Sequence, residues 1–157
     1  MKPAVNHLWL SGFLAVPLAT GGCSRPGQTS QAPTEASAAA HQDQPPHGGT
    51  VIDLGTDAYH LEMLRDAESG TLTVWVLDGE LEEFIRVAQP DLALQVKGQT
   101  YELQAVPNSA TGETVGNTSQ FELHADWIKS TPAFKGQIGP LTIRGTRYAP
   151  AVVNFPG

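Results

Sequence analysis

The chain has one cysteine, Cys23. That count excludes an intrachain disulfide and, for the folded part, a cysteine-based zinc site or a thiol nucleophile. Two methionines, Met1 and Met63, offer no thioether cluster of the kind that holds Cu(I). Basic residues are few: 9 Lys and Arg stand against 16 Asp and Glu, for a formal charge of -7. An acidic surface of this kind opposes association with nucleic acid. There is no Gly-x-Ser-x-Gly elbow; Asp126, His124 and Ser119 can be written down as a triad, but no strand-to-helix turn exposes the nucleophile. The acidic run Glu80 to Glu83 lacks the spaced Asp, Asn and Gly ligands of a calcium loop. The chain therefore reads as non-enzymatic.

What is present begins with Met1-Lys2, followed by an apolar run from Leu8 to Thr20. Such a run has signal-peptide length and falls short of the ~20 residues of a spanning helix. Gly21 and Gly22 precede Cys23. The arrangement resembles a bacterial lipoprotein signal, which implies a signal peptide over 1–22 and lipidation at Cys23. Ser24 in place of Asp then implies the outer membrane, with the protein facing the periplasm. Residues 23–46 are rich in Ser, Thr, Gln, Ala and Pro. They carry too little apolar surface to offset chain entropy and read as a flexible linker.

From 47 to 157 apolar residues alternate with polar ones in short runs separated by Gly, Asn and Asp turns. Tyr59, Leu61 and Met63 would face a core, with His60 and Glu62 outward. Thr71 to Leu77 is bounded by Ser69-Gly70 and Asp78-Gly79. Asp91 to Val96 and Thr100 to Val106 form a further pair of expected strands, followed by a loop from Pro107 to Ser119. Gln120 to Trp127 alternates most regularly, with Phe121, Leu123, Ala125 and Trp127 inward. A strand pair is expected at Phe134 to Gln137 and Leu141 to Arg144, and Val152 to Phe155 completes the packing.

Only Glu80 to Ala88 has helical spacing, through Leu81, Phe84, Ile85 and Ala88; the strands on both sides favour an acidic loop leading into a strand. Trp75 lies on the face opposite Leu72, Val74 and Val76, as a packing residue or a partner-facing aromatic. Seven or eight short strands predict an all-β domain. The expected architecture is an antiparallel β-sandwich, Ig-like in outline, with a small open barrel as the alternative.

The stretch that begins the domain is Pro46-His47-Gly48-Gly49, where Gly48 and Gly49 permit a sharp turn. A short strand, a turn at Gly55-Thr56-Asp57, the run Tyr59-His60-Leu61-Glu62 and then Leu72 to Gly79 follow in order. Over residues 46 to 98 this order resembles the small His-Gly-Gly domain found in periplasmic adaptor subunits of heavy-metal efflux systems and in stand-alone bacterial lipoproteins. The chain lacks the coiled-coil hairpin and lipoyl-like domain of a complete adaptor. The resemblance implies a β domain of the cell envelope, tethered to the membrane through its lipid, acting as an interaction or accessory module for an envelope protein such as an efflux component.

The residues offer a second expectation. If their strands adjoin, His47, His60 and His124 with Glu62 and Glu122 form a nitrogen and carboxylate patch suited to Zn, Cu or Ni. That would make the protein a weak binder of a divalent transition metal. Taken singly, each histidine also has a plain role: His47 as a hydrogen-bonding pin at the domain's start, the other two as solvated strand positions. Glu62 has one as a cross-strand charge partner.

Overall fold

The computed structural model describes residues 44–157. The signal peptide, Cys23 and nearly all of the linker lie outside the described residues. Ten strands form: β1 Thr50–Leu54, β2 Tyr59–Asp66, β3 Thr71–Asp78, β4 Asp91–Val96, β5 Gln99–Ala105, β6 Gln120–His124, β7 Phe134–Ile138, β8 Leu141–Ile143, β9 Thr146–Tyr148 and β10 Ala151–Phe155. One short helix, α1, covers Asp126–Ser130.

Eight of the strands make one antiparallel sheet in the order β1-β2-β3-β6-β5-β4-β7-β10, while β8 and β9 pair separately. The sheet rolls until β1 lies against β10. The Gly157 N–H donates to Thr50 Oγ1 across that seam at 3.2 Å, but no strand ladder joins the two edges. The all-β expectation holds, and of its two architectures the open barrel is the one observed.

Alternation explains the core. Inward side chains on one strand meet their register partners inside: Ile52 opposite Leu61, Met63 opposite Val74, Val74 opposite Phe121, and Leu92 opposite Leu103. All of these are buried. Fully burying side chains of this size contributes roughly 1.5–3 kcal/mol each, so this interior layer dominates the stability.

Two local expectations need correction. The Gln120 strand ends at His124, and the chain turns into α1, which buries Ile128 against the barrel. Arg65 on β2 stabilises that turn, donating from Nε to the Ile128 carbonyl at 2.6 Å and from Nη2 to that of Lys129 at 2.8 Å. Helix ends leave such carbonyls unpaired otherwise. The Phe134 and Leu141 segments do not pair with each other: β7 lies between β4 and β10, and β8 pairs with β9. The segment from Pro107 to Ser119 is a loop, as expected, and is ordered by two successive turns, with Asn108 and Glu113 exchanging backbone hydrogen bonds and Thr114 and Asn117 doing the same.

Candidate functional site

The outer face of β2 and β3 is not left to solvent. Glu62, outward on β2, is fully buried, because residues 44–49 fold back across it. Gly48 takes φ +70°, and its N–H donates to the Pro45 carbonyl at 3.0 Å. Gly49 then passes so close to β2 that a Cβ would stand 2.7 Å from the Met63 carbonyl oxygen and 2.9 Å from Glu62 Cγ. The two glycines thus serve different needs. One supplies a left-handed turn and the other a close approach.

Glu62 receives the segment. Its Oε1 accepts the N–H of His47 at 2.8 Å and of Gly49 at 2.9 Å, and its Oε2 faces His47 Nδ1 at 2.8 Å. The ring so oriented lies on Trp75, with centroids 3.9 Å apart and planes 15° from parallel. Phe84 stands tilted to it, centroids 5.8 Å apart. Trp75 is therefore the platform of an aromatic layer on the outer face of the barrel.

Phe84 is placed by the acidic loop. Asp78 Oδ1 accepts the N–H groups of Glu82 at 2.9 Å and Glu83 at 3.1 Å, and the Asp78 N–H donates back to the Glu83 carbonyl. Burial raises the Asp78 carboxyl, but the backbone N–H groups of Glu83, Glu82 and Glu80 outweigh it, so the group titrates below its ordinary range. Beyond this turn the chain makes only single bridges, Leu77 with Phe84 and Val87 with Thr118, rather than the expected strand. Leu81 and Ile85 are buried and Phe84 is 46 % exposed.

Between this aromatic wall and the 107–119 turns lies a cleft of ≈ 280 Å³. Its far wall is polar and built on Glu113. Glu113 Oε1 accepts the Ser119 N–H at 2.8 Å and hydroxyl at 2.6 Å, and Oε2 accepts the Thr111 hydroxyl at 2.6 Å. Arg86 Nε lies 3.9 Å from Oε1, and Nη2 donates to the Thr111 carbonyl. Burial raises the Glu113 carboxyl; the bonds from Ser119 and Thr111 and the Arg86 charge lower it by more, so it titrates below the usual glutamate range.

Of the five residues considered as metal ligands, the structure joins His47 with Glu62 and, elsewhere, His124 with Glu122. His124 Nε2 is 3.6 Å from Glu122 Oε2, and its Nδ1 lies 2.9 Å from Thr71 Oγ1. His60 is buried apart from both, with Nδ1 3.1 Å from Asp53 Oδ1 and Nε2 3.1 Å from the Gly79 carbonyl. Register separates them: His60 is opposite Leu77 on β3, whereas His124 is opposite Thr71. Six residues of strand correspond to roughly 20 Å. Among the described residues no three His, Cys, Asp or Glu converge to hold a metal ion. Glu62 binds the His-Gly-Gly segment rather than a charge across the sheet.

Sequence reasoning missed Glu113, Ser119 and Arg86. Glu113 is the one charged residue in the loop from Pro107 to Ser119, which is otherwise mostly Asn, Thr, Gly and Ser, and that isolation was the available signal. No protein family, characterised protein or solved structure matches the chain.

Proposed function

We propose that the protein is a non-enzymatic, lipid-anchored accessory module of the cell envelope, and that the cleft between the His47–Trp75–Phe84 layer and the Glu113 wall is its contact site. The single observation that carries this reading is the investment in a rigid outer surface. A fully buried carboxylate and two glycines of distinct roles fix one imidazole on one indole, beside a phenyl ring left 46 % exposed. Pre-organised aromatic surface lowers the ordering cost of binding. The anchor at Cys23 and an efflux-linked role rest on the resemblances of the N-terminal segment and the His-Gly-Gly stretch.

A photo-reactive residue in place of Phe84, in native membranes, tests the site. A discrete adduct to one envelope component is expected, with no such adduct from the still more exposed Val152 on β10. Equal labelling from both positions counts against it.

A second reading, weak binding of Zn, Cu or Ni, has one observation in its favour. Glu62 engages His47 Nδ1 as a carboxylate engages a metal-bound imidazole, leaving Nε2 without a hydrogen bond among the described residues. Calorimetry of the full chain decides it: saturable binding lost in His47→Ala supports the reading, and unchanged binding in that variant excludes His47 as a ligand.

A further inference from the structure

The charged groups lining the cleft are matched within the protein. Arg86 lies beside Glu113 and donates to the Thr111 carbonyl. The two oxygens of Glu113 are taken by Ser119 and Thr111. A cation therefore finds no free carboxylate oxygen here, while Arg86, whose side chain is 40 % exposed and stands 3.9 Å from Glu113 Oε1, keeps guanidinium N–H groups that can serve a hydroxyl.

What is left to face a ligand is mainly neutral. Asn108 Oδ1 accepts the Ala110 N–H at 3.0 Å, which leaves the amide nitrogen of this cleft-lining residue as a donor. Gln120 Nε2 donates to Glu122 at 3.0 Å, which leaves the Gln120 amide oxygen as an acceptor. Opposite these stand the flat faces of the aromatic layer. One wall is therefore apolar and planar, and the other offers a donor and an acceptor without net charge.

A ligand that satisfies both walls has a face of C–H groups and an edge of hydroxyls. Resting on the reading of this cleft as the contact site, we propose that it binds a neutral saccharide, seating one sugar ring against Phe84 and the His47–Trp75 stack, in which the imidazole covers one indole face, with its hydroxyls on Asn108 and Gln120. The volume of ≈ 280 Å³ lies at the small end of the ~300–1,000 Å³ range of ligand pockets. It suits one ring of a longer glycan, the remainder lying outside.

The test is a titration of the full chain in detergent, followed by amide chemical shifts, with N,N′-diacetylchitobiose, cellobiose and maltose as probes and tri-lysine and tri-glutamate as controls. The expected result is saturable binding of at least one disaccharide, shifting the amides of Phe84, Asn108 and Gln120. Phe84→Ala, at an exposed position, should keep the fold and weaken binding about tenfold, as should Gln120→Ala. Absence of any saturable shift at ~10 mM sugar, a concentration that detects millimolar affinity, overturns the proposal. So does binding of a tripeptide alone. A discrete protein adduct at Phe84 with no sugar binding removes the saccharide and leaves the contact site standing; no adduct and no sugar binding removes both.

Discussion

Glu62 holds His47 twice, by its backbone N–H and by its ring, and Gly49 once, all from a position with no exposed surface. The histidine of the His-Gly-Gly stretch is thereby a positioned wall of the cleft, and the carboxylate behind it is the residue on which that wall depends. Its removal strands two N–H groups and an imidazole nitrogen.

Glu62→Ala is accordingly expected to cost roughly 2–4 kcal/mol, since unsatisfied partly buried groups lose their desolvation energy as well as their bonds. Glu62→Gln keeps an oxygen for both N–H groups and offers its amide N–H to His47 Nδ1, which then accepts; about 1 kcal/mol is expected. Urea unfolding of the two variants gives the comparison. Equal losses would mean that the carboxylate's charge, which both variants remove, dominates over the geometry of its hydrogen bonds.

The paired glycines should respond differently to alanine. At Gly48 there is open space, so Gly48→Ala costs only the left-handed backbone, ~1–2 kcal/mol. At Gly49 the added Cβ meets the Met63 carbonyl and Glu62 Cγ. Gly49→Ala must push residues 44–49 off β2, and a larger loss is expected, ~3 kcal/mol or more. Thermal unfolding checks the order; the reverse order would contradict the close approach.

Glu113 links stability to pH. Its folded carboxyl lies below its ordinary value of 4.5, for burial raises it and the Ser119, Thr111 and Arg86 contacts lower it further than burial lifts it. A carboxyl depressed on folding contributes stability fully above the unfolded value, and loses it as pH falls through the folded value. Glu113→Gln should therefore be less stable at neutral pH, by ~1–3 kcal/mol for the lost charge-assisted bonds. Its stability should then fall less than wild type's below pH ~4.5. Parallel curves for the two proteins would show that Glu113 is not a source of the acid sensitivity.

On the proposed reading, Cys23→Ser is expected to move the protein from the membrane to the soluble fraction of the envelope, because it removes the thiol that would carry the lipid. Fractionation of cells carrying each form checks this. A variant still in the membrane would point to an uncleaved apolar N-terminus instead.

Much of the fold was legible because its strands alternate. Leu72, Val74 and Val76 on β3, and Leu92, Leu94 and Val96 on β4, announce their buried face by period alone. Closure into a barrel was less so, since it depends on β10 returning beside β7 and on Gly157 reaching Thr50, contacts set by long-range register. The end of β6 at His124 was misjudged because Ala125 and Trp127 continue the alternation while the chain is already turning into α1.

The site was half legible for a related reason. Period 2 places Glu62 outward, and it is outward, but alternation says nothing of a segment folding back over that face. Likewise Glu113 lies in a loop whose composition predicts exposure, yet two successive turns bring it inside to Ser119.

The central claim is that Glu62 holds His47 in place to shape a contact site. It is tested most directly by repeating the Phe84 photo-cross-link in membranes with Glu62 intact and with Glu62→Ala, which removes both the backbone and the ring hydrogen bonds to His47. A discrete adduct that weakens in Glu62→Ala, while the fold is retained by circular dichroism, is the predicted result. An adduct of undiminished yield in that variant, or none in the wild type, would contradict it.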